Sequence, residues 1–353
     1  MSIKVSIIMP SLNVGKYIRE CMDSVLGQSL RETEIICVDA GSTDGTRQIL
    51  GEYALCDDRI KIIDSPVKSY GYQMNLGLNS AQGEYIGIIE TDDYAEPDMF
   101  EKLYAAATEK KLDVVKSDFY FYYSEEGKNI LFGIPRDIIK KGAFNPLKDF
   151  SSPIKQSDFF NIKPSIWSAI YRKDFLAENQ IKFNETAGAS YQDSGFNFKV
   201  WACAERVMCI RDAFLHYRQD NEQSSVNSPS KVFCVCDEYR EMAAFIKERF
   251  SGDAQRTGML NALMIRLKYD SYLWNYDRLA PPLNEQFINE VVPELKDDLE
   301  SGRANKEYFP GYKWNKFVLW TQDAQAFKVE LARIRGRSLA RRVLDKLKRL
   351  FEK

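Results

Sequence analysis

Short apolar runs and amphipathic stretches alternate through the first hundred residues. Val5–Met9 is a compact β-branched and apolar run, as are Ile35–Val38, Ile60–Ile63 and Tyr85–Ile89, and each reads as a buried strand. Between these runs the apolar residues recur at helical spacing. Ile18, Cys21, Met22 and Val25 fall on one face, with Gly27 where a C-terminal cap belongs. Asp44 stands where it can cap a helix carrying Ile49, Leu50 and Tyr53. Tyr70, Met74, Gly77, Leu78 and Ala81 share a face of a third helix. This alternation predicts an α/β fold, with a Rossmann-like, mostly parallel central sheet and flanking helices. Farther on, Val114–Tyr123 is an aromatic-rich strand candidate, and a helix is expected near Asp193–Ala204. From about Lys231 the pattern is mostly helical. A length of 353 residues suits two domains. The change of pattern sets them at 1–228, which carries the sheet, and 229–353, which is mostly helical.

In open parallel sheets, ligands bind beyond the carboxyl ends of the strands. Three polar clusters follow the first, second and fourth predicted strands: Pro10-Ser11-Leu12-Asn13, Asp39-Ala40-Gly41-Ser42-Thr43-Asp44, and Glu90-Thr91-Asp92-Asp93. One fold would gather all three in one crevice. Carboxylates packed as closely as Glu90, Asp92 and Asp93 repel one another unless a cation sits among them. Oxygen ligands of this kind suit magnesium or manganese, which also bridge phosphate oxygens. The plainer reading is a solvated acidic turn. Asp39 at a strand end can accept hydrogen bonds from a ribose or a base edge; the plainer reading is a loop. Asp193 lies in Tyr191-Gln192-Asp193-Ser194-Gly195-Phe196. It is either the N-cap of the helix bearing Phe196, Val200 and Trp201 or a general base.

A net charge of −2 argues against a dedicated nucleic-acid binder. The seven cysteines are odd in number and form no CxxC pair, which fits reduced thiols in the cytoplasm better than a disulfide framework. A single histidine, His216, argues against zinc. The leading residues lack the apolar region of a signal peptide. No run approaches the roughly 20 apolar residues of a membrane-spanning helix. Residues 328–353 carry ten Lys/Arg against three Asp/Glu, with Leu331, Ile334, Leu339, Val343, Leu347 and Leu350 as an approximate apolar stripe. Such a helix fits an anionic membrane surface, which would set the protein on the inner face of the cytoplasmic membrane. The alternatives are packing on its own domain or a homodimer contact. The first strand is not followed by GxGxxG, and GxxxxGK[ST] is absent, which sets aside nicotinamide-dependent and P-loop enzymes.

With these motifs in this order, the chain resembles the family 2 glycosyltransferases. The resemblance rests on Val5-Ser6-Ile7-Ile8-Met9-Pro10-Ser11-Leu12-Asn13, on Ile36-Cys37-Val38-Asp39-Ala40-Gly41-Ser42-Thr43-Asp44-Gly45-Thr46, and on Asn75-Leu76-Gly77-Leu78 with Gly83-Glu84-Tyr85-Ile86. Glu90-Thr91-Asp92-Asp93 matches the family's DxD metal motif, and Tyr191-Gln192-Asp193 its catalytic-base motif. The segment around Trp167 matches the acceptor side. The resemblance implies a GT-A fold and an inverting hexosyl- or N-acetylhexosaminyltransferase of bacterial polysaccharide or glycan assembly. It uses a nucleotide-sugar, usually a UDP-sugar, with Mn2+ or Mg2+. The acceptor would be a glycan or a lipid-linked saccharide. Pro10, Ser11, Asn13, Asp39, Ser42, Asn75, Glu90, Thr91, Asp92 and Asp93 would bind the donor, with Asp92 on the metal. Asp193 would be the base, Trp167, Tyr191 and Gln192 would lie on the acceptor side, and Arg218 would close over the diphosphate. The chain departs from the family at Glu90 (Asp in the motif), at Ala40 (often acidic) and at Met74 (often arginine). A rival reading is a non-catalytic nucleotide-sugar or glycan-binding module on the same fold, which metal-dependent hydrolysis of a UDP-sugar would set aside.

Overall fold

The computed structural model describes residues 2–221 and 231–334. Strand β1 (Val5–Ser11) leads into helix α1 (Ile18–Leu26), and β2 (Thr33–Asp39) into α2 (Thr46–Ala54). Then β3 (Ile60–Asp64) leads into α3 (Tyr70–Ser80), and β4 (Tyr85–Ile88) follows. These four strands lie parallel in the order β3-β2-β1-β4. Every residue of β1 and β2 is buried, as expected for parallel strands covered on both faces. The register sets Ser11 opposite Asp39, and Asp39 opposite Asp64, so the strand ends are level. On α1, Ile18, Cys21, Met22 and Val25 are the buried residues.

Beyond β4 the sheet turns mixed. The chain continues as β5 (Tyr94–Ala95), α4 (Met99–Lys110), β6 (Val114–Tyr123), β7 (Lys128–Phe132), α5 (Arg136–Ile139) and α6 (Pro153–Phe160). A 3-10 turn at Ile166–Ser168, β8 (Ala169–Arg172), α7 (Lys173–Glu178), α8 (Gln192–Cys203), β9 (Val207–Arg218) and α9 (Cys234–Phe250) follow. The strand order is β3-β2-β1-β4-β8-β6-β9-β5, with β7 paired to β6. Strand β8 runs antiparallel to both β4 and β6, and β9 is parallel to β6 across register shifts beside Asp118. The result is the α/β sheet with flanking helices that the pattern predicts.

Two helix starts differ from expectation. Gly45 occupies the N-cap of α2 with φ 96°, a left-handed backbone that suits glycine. Asp44, one residue earlier, still accepts from the Thr46 amide at 3.1 Å. Tyr191, with φ 61°, is the N-cap of α8, so Asp193 lies inside the helix rather than capping it. Helix α3 also buries two amides that its polarity would have placed outside. Gln73 donates to the carbonyls of Ser11 (3.0 Å) and Val38 (2.7 Å), tying the helix to the ends of β1 and β2.

The chain divides into two compact units, Met1–Gly252 and Asp253–Lys353. The second comprises α10 (Ala254–Arg278), α11 (Leu283–Glu290), α12 (Val292–Glu300) and α13 (Gly311–Gln322). Its buried Lys268 is neutralised by Glu294 (2.7 Å) and Asp298 (2.6 Å). Trp320 donates to the Ile288 carbonyl at 3.0 Å and stacks on Phe327. Leu331 is buried, and the remainder of the basic C-terminal stretch, 335–353, lies outside the described residues. Among the described residues no helix is long and apolar enough to cross a membrane.

Two contacts in the first unit carry predictions. A Cβ on Gly71 would lie 1.8 Å from the Asn184 carbonyl oxygen, which is backbone and cannot rotate away. Gly71→Ala should therefore separate α3 from the 183–190 segment and cost about 1–3 kcal/mol or more, read as a lower urea midpoint with an unchanged slope. On α9, Glu238 is buried against Gly195 of α8 and Glu241, and its Oε2 has no partner. Burial, reinforced by the charge of Glu241, pushes its carboxyl up to about 8. A carboxyl raised in the folded state holds its proton there after the unfolded chain has lost it, so stability falls as pH climbs from about 4.5 to about 8. Glu238→Gln should match the wild-type melting temperature near pH 4 and exceed it at pH 8.

Candidate active site

The level ends of β1 and β2 set their following loops side by side, and polar atoms lace them together. The Asn13 amide donates to Ser42 Oγ, and the Asn13 side-chain oxygen accepts from the Thr43 amide, both at 2.9 Å. The Val14 amide reaches Thr46 Oγ1 at 2.9 Å, and the Gly15 amide reaches Asp44 Oδ2 at 2.8 Å. Asp39 is buried beneath this rim. Its Oδ2 accepts from the amides of Gly41 and Ser42, and its Oδ1 from Ser42 Oγ at 2.5 Å. Ser42 thus orients Asp39. Ser11 Oγ is buried with no hydrogen-bond partner. Pro10 is tied to the next cluster, because Thr91 Oγ1 donates to its carbonyl at 2.8 Å.

The acidic cluster follows β4 directly. Tyr70, at the start of α3, donates to Glu90 Oε1 at 2.5 Å. Burial, with the charges of Asp92 and Asp193, pushes the Glu90 carboxyl up to about 8 against the pull of that hydrogen bond. Asp92 Oδ2 accepts from Asn221 at 2.8 Å. Asp93 Oδ1 accepts from the Arg218 amide at 2.8 Å, while its Oδ2 is buried without a partner. Burial and the charge of Asp92 hold Asp93 well above the usual carboxylate range. Among the described residues no three Asp, Glu, His or Cys side chains form a closed metal cage. The donor set suits an open site, in which a hard cation takes a carboxylate and completes its shell from phosphate oxygens and water. The unpartnered Asp93 oxygen and the mutual repulsion around it fit such a charge.

Asp193 faces this cluster from the first turn of α8. Its Oδ1 accepts from the Ser194 amide at 2.8 Å. Burial raises its carboxyl, and the charge of Lys163 opposes that rise. Asp193 and Asp92 both act on Glu90, and Tyr217 is raised by burial and by Asp93, Asp193, Asp92 and Glu90 together. Asp193 and the strand-end acids are therefore near enough for their charges to act together on Tyr217. Trp167 packs its ring 4.9 Å from Tyr217 and 4.6 Å from Phe119.

Several expected site residues have structural work. The Asn75 amide donates to the Phe183 carbonyl and Glu185 and accepts from the Phe183 amide, so it braces the 183–185 segment. Gln192 is buried and bonded to Thr186, Gly188 and Ser190, holding the loop before α8. The Arg218 guanidinium pairs with Glu20, donates to the Asp92 carbonyl at 2.8 Å and lies between the Tyr17 and Tyr122 rings. It supports the acid cluster from behind. His216 has both ring nitrogens bonded, to Asn129 and Glu96 at 2.9 Å, and stacks on Tyr94, which makes it structural. Met74 is fully buried in the core. Cys21, Cys37 and Cys209 are buried thiols, and Cys56 is an exposed one.

Sequence reasoning missed Tyr70, Tyr217, Lys163 and the buried Lys116. Alternation along Leu215-His216-Tyr217-Arg218 was the available signal. It sends His216 into an aromatic stack and Tyr217 towards the acids.

The sequence model described as "Glycosyl transferase family 2" matches residues 6–178. The uncharacterized glycosyltransferase EpsJ of Bacillus subtilis is 31% identical over 227 residues, covering 64% of each chain. Glycosyltransferase GlyA of Streptococcus pneumoniae is 28% identical over 216 residues, covering 61% of this chain and 30% of its own. The chain thus spans less than two thirds of these relatives' lengths. The crystal structure of residues 1–349 of S. aureus TarS in complex with UDP-GlcNAc superposes with a TM-score of 0.70. It covers 93% of this chain and 92% of that one at 20% identity, a likeness of fold. Sequence relatives and fold agree with the geometry at the strand ends: over residues 6–178 the chain belongs to glycosyl transferase family 2, and its fold is GT-A-like.

Proposed function

We propose that the protein transfers a sugar from a UDP-sugar to a hydroxyl of a glycan or lipid-linked acceptor, with inversion and with the help of Mn2+ or Mg2+. The reading is carried by one observation: Asp193, its carboxyl raised by burial, lies near enough to the acids that follow β4 for its charge to act on Glu90. A base of raised affinity for protons and a cation-binding carboxylate are what a single displacement at an anomeric carbon needs.

The laced loops at Asn13 and Ser42 hold the nucleoside, with Asp39 and the unpartnered Ser11 hydroxyl turned to base and ribose. Asp92, with Asp93 and Glu90 beside it, would hold the metal, which would supply positive charge against the departing diphosphate. Arg218 and Asn221 keep Asp92 in place. Asp193 takes the proton as the acceptor oxygen attacks. Proximity and fixed charge supply most of the acceleration. The TarS structure holding UDP-GlcNAc supports a uridine donor.

Asp193→Asn should lower transfer by on the order of 10²–10⁴-fold while leaving UDP affinity near wild type. Normal turnover in that variant removes Asp193 from the mechanism. Chelation by EDTA should abolish turnover, and manganese or magnesium should restore it in the wild type but not in Asp92→Asn. Full activity after exhaustive chelation overturns the metal role.

A further inference from the structure

The mechanism above leaves one cation beside the base unused. Lys163 precedes Pro164 in the turn before Trp167. Its ammonium stands 5.3 Å from the centre of the Tyr217 ring and 5.9 Å from that of Phe121. Among the described residues it forms no ion pair and no hydrogen bond, so its donors are open. It is half-buried, and Asp193 is the charged group that acts on it.

The turn that carries Lys163 is built to hold still. Lys116, buried in β6, donates to the Ser165 carbonyl at 2.5 Å, Ser165 Oγ at 2.8 Å and Ser168 Oγ at 3.3 Å. Ser117 donates to the Ser168 carbonyl at 3.2 Å, and Tyr171 to the Ile166 carbonyl at 2.9 Å. A buried lysine bonded only to neutral oxygens is an expensive brace, and it sets Lys163 and Trp167 in one wall. Lys163 brings a cation to Tyr217, the ring on which the charges of Asp93, Asp193, Asp92 and Glu90 also act. Were Lys163 present only to keep Asp193 ionised, a direct ion pair would serve best. It stands off on aromatic faces instead, with its donors unfilled. A desolvated ammonium of this kind calls for an anion from outside.

We infer that Lys163 binds an oxyanion, phosphate or carboxylate, carried by the acceptor close to the hydroxyl that Asp193 deprotonates, so that the acceptor is an anionic saccharide or polyol. The inference rests on the transfer reading, because it takes Asp193 to mark the acceptor side. The acids would repel such a group, and Lys163 would draw it to the base.

The test titrates glycerol 1-phosphate and glucuronate, with glycerol and glucose as neutral counterparts, into the full chain bearing UDP, followed by saturation-transfer NMR. Either charged probe should bind at least about tenfold more tightly than its neutral counterpart. The stronger of the two identifies the oxyanion. Lys163→Met should erase that preference, and Lys163→Arg should retain it. Charged and neutral probes that bind alike, or a preference that survives in Lys163→Met, overturn the inference. If this happens in protein that still binds UDP and whose transfer depends on Asp193, the transfer reading stands and the acceptor charge does not. If the wild type fails to bind UDP, both fall together.

Discussion

Like charges crowded where water is scarce are the constraint around which the first unit is arranged. Burial raises the carboxyls of Glu90, Asp93 and Asp193, and the charge of Asp92 acts on the first two. Each is answered differently. Glu90, raised by burial, accepts one hydrogen bond from Tyr70. Asp93 is bonded at one oxygen and orphaned at the other. Asp92 is held by Asn221 and, through its carbonyl, by Arg218. Asp193 has Lys163 nearby but not in contact. The chain alone leaves these acids short of positive charge, which is the state a cation and a diphosphate would complete.

The groups that manage this charge come from far apart in the chain. Tyr70 belongs to α3, Arg218 to the end of β9, and Glu20 to α1. Their convergence follows from the strand order, which inserts β8 and β6 between β4 and β9 yet returns β9 to β5, just beyond the acids. Buried amides make that return precise. Gln73 fixes α3 to the ends of β1 and β2, and Asn75 fixes it to the segment leading into α8. One helix therefore ties the strand ends of β1 and β2 to the segment leading to Asp193.

The parallel half of the sheet was legible because its strands are covered on both faces and so read as unbroken apolar runs. The acidic motif was legible because it begins where such a run stops. The mixed half was harder. Strand β9 carries Arg211 and Asp212 in mid-strand and meets β6 through register shifts, so neither alternation nor an apolar run marks it. Strand β5 has two residues and exists only by pairing with β9. Gln73 and Asn75 look like solvent-facing residues until their carbonyl partners, remote in sequence, are known. Asp44 and Asp193 both resembled caps, but left-handed neighbours, Gly45 and Tyr191, take those positions. Local propensity does not reveal which of two adjacent residues will adopt a positive φ.

The exchange of aspartate for glutamate at position 90 reaches beyond one methylene. The longer arm spans from the end of β4 to the hydroxyl of Tyr70, whose ring packs edge-on against Phe183. A shorter acid would leave that hydroxyl enclosed among rings with no acceptor. Positions 70 and 90 are thus energetically coupled, and changes at the two should be non-additive in a double-mutant cycle.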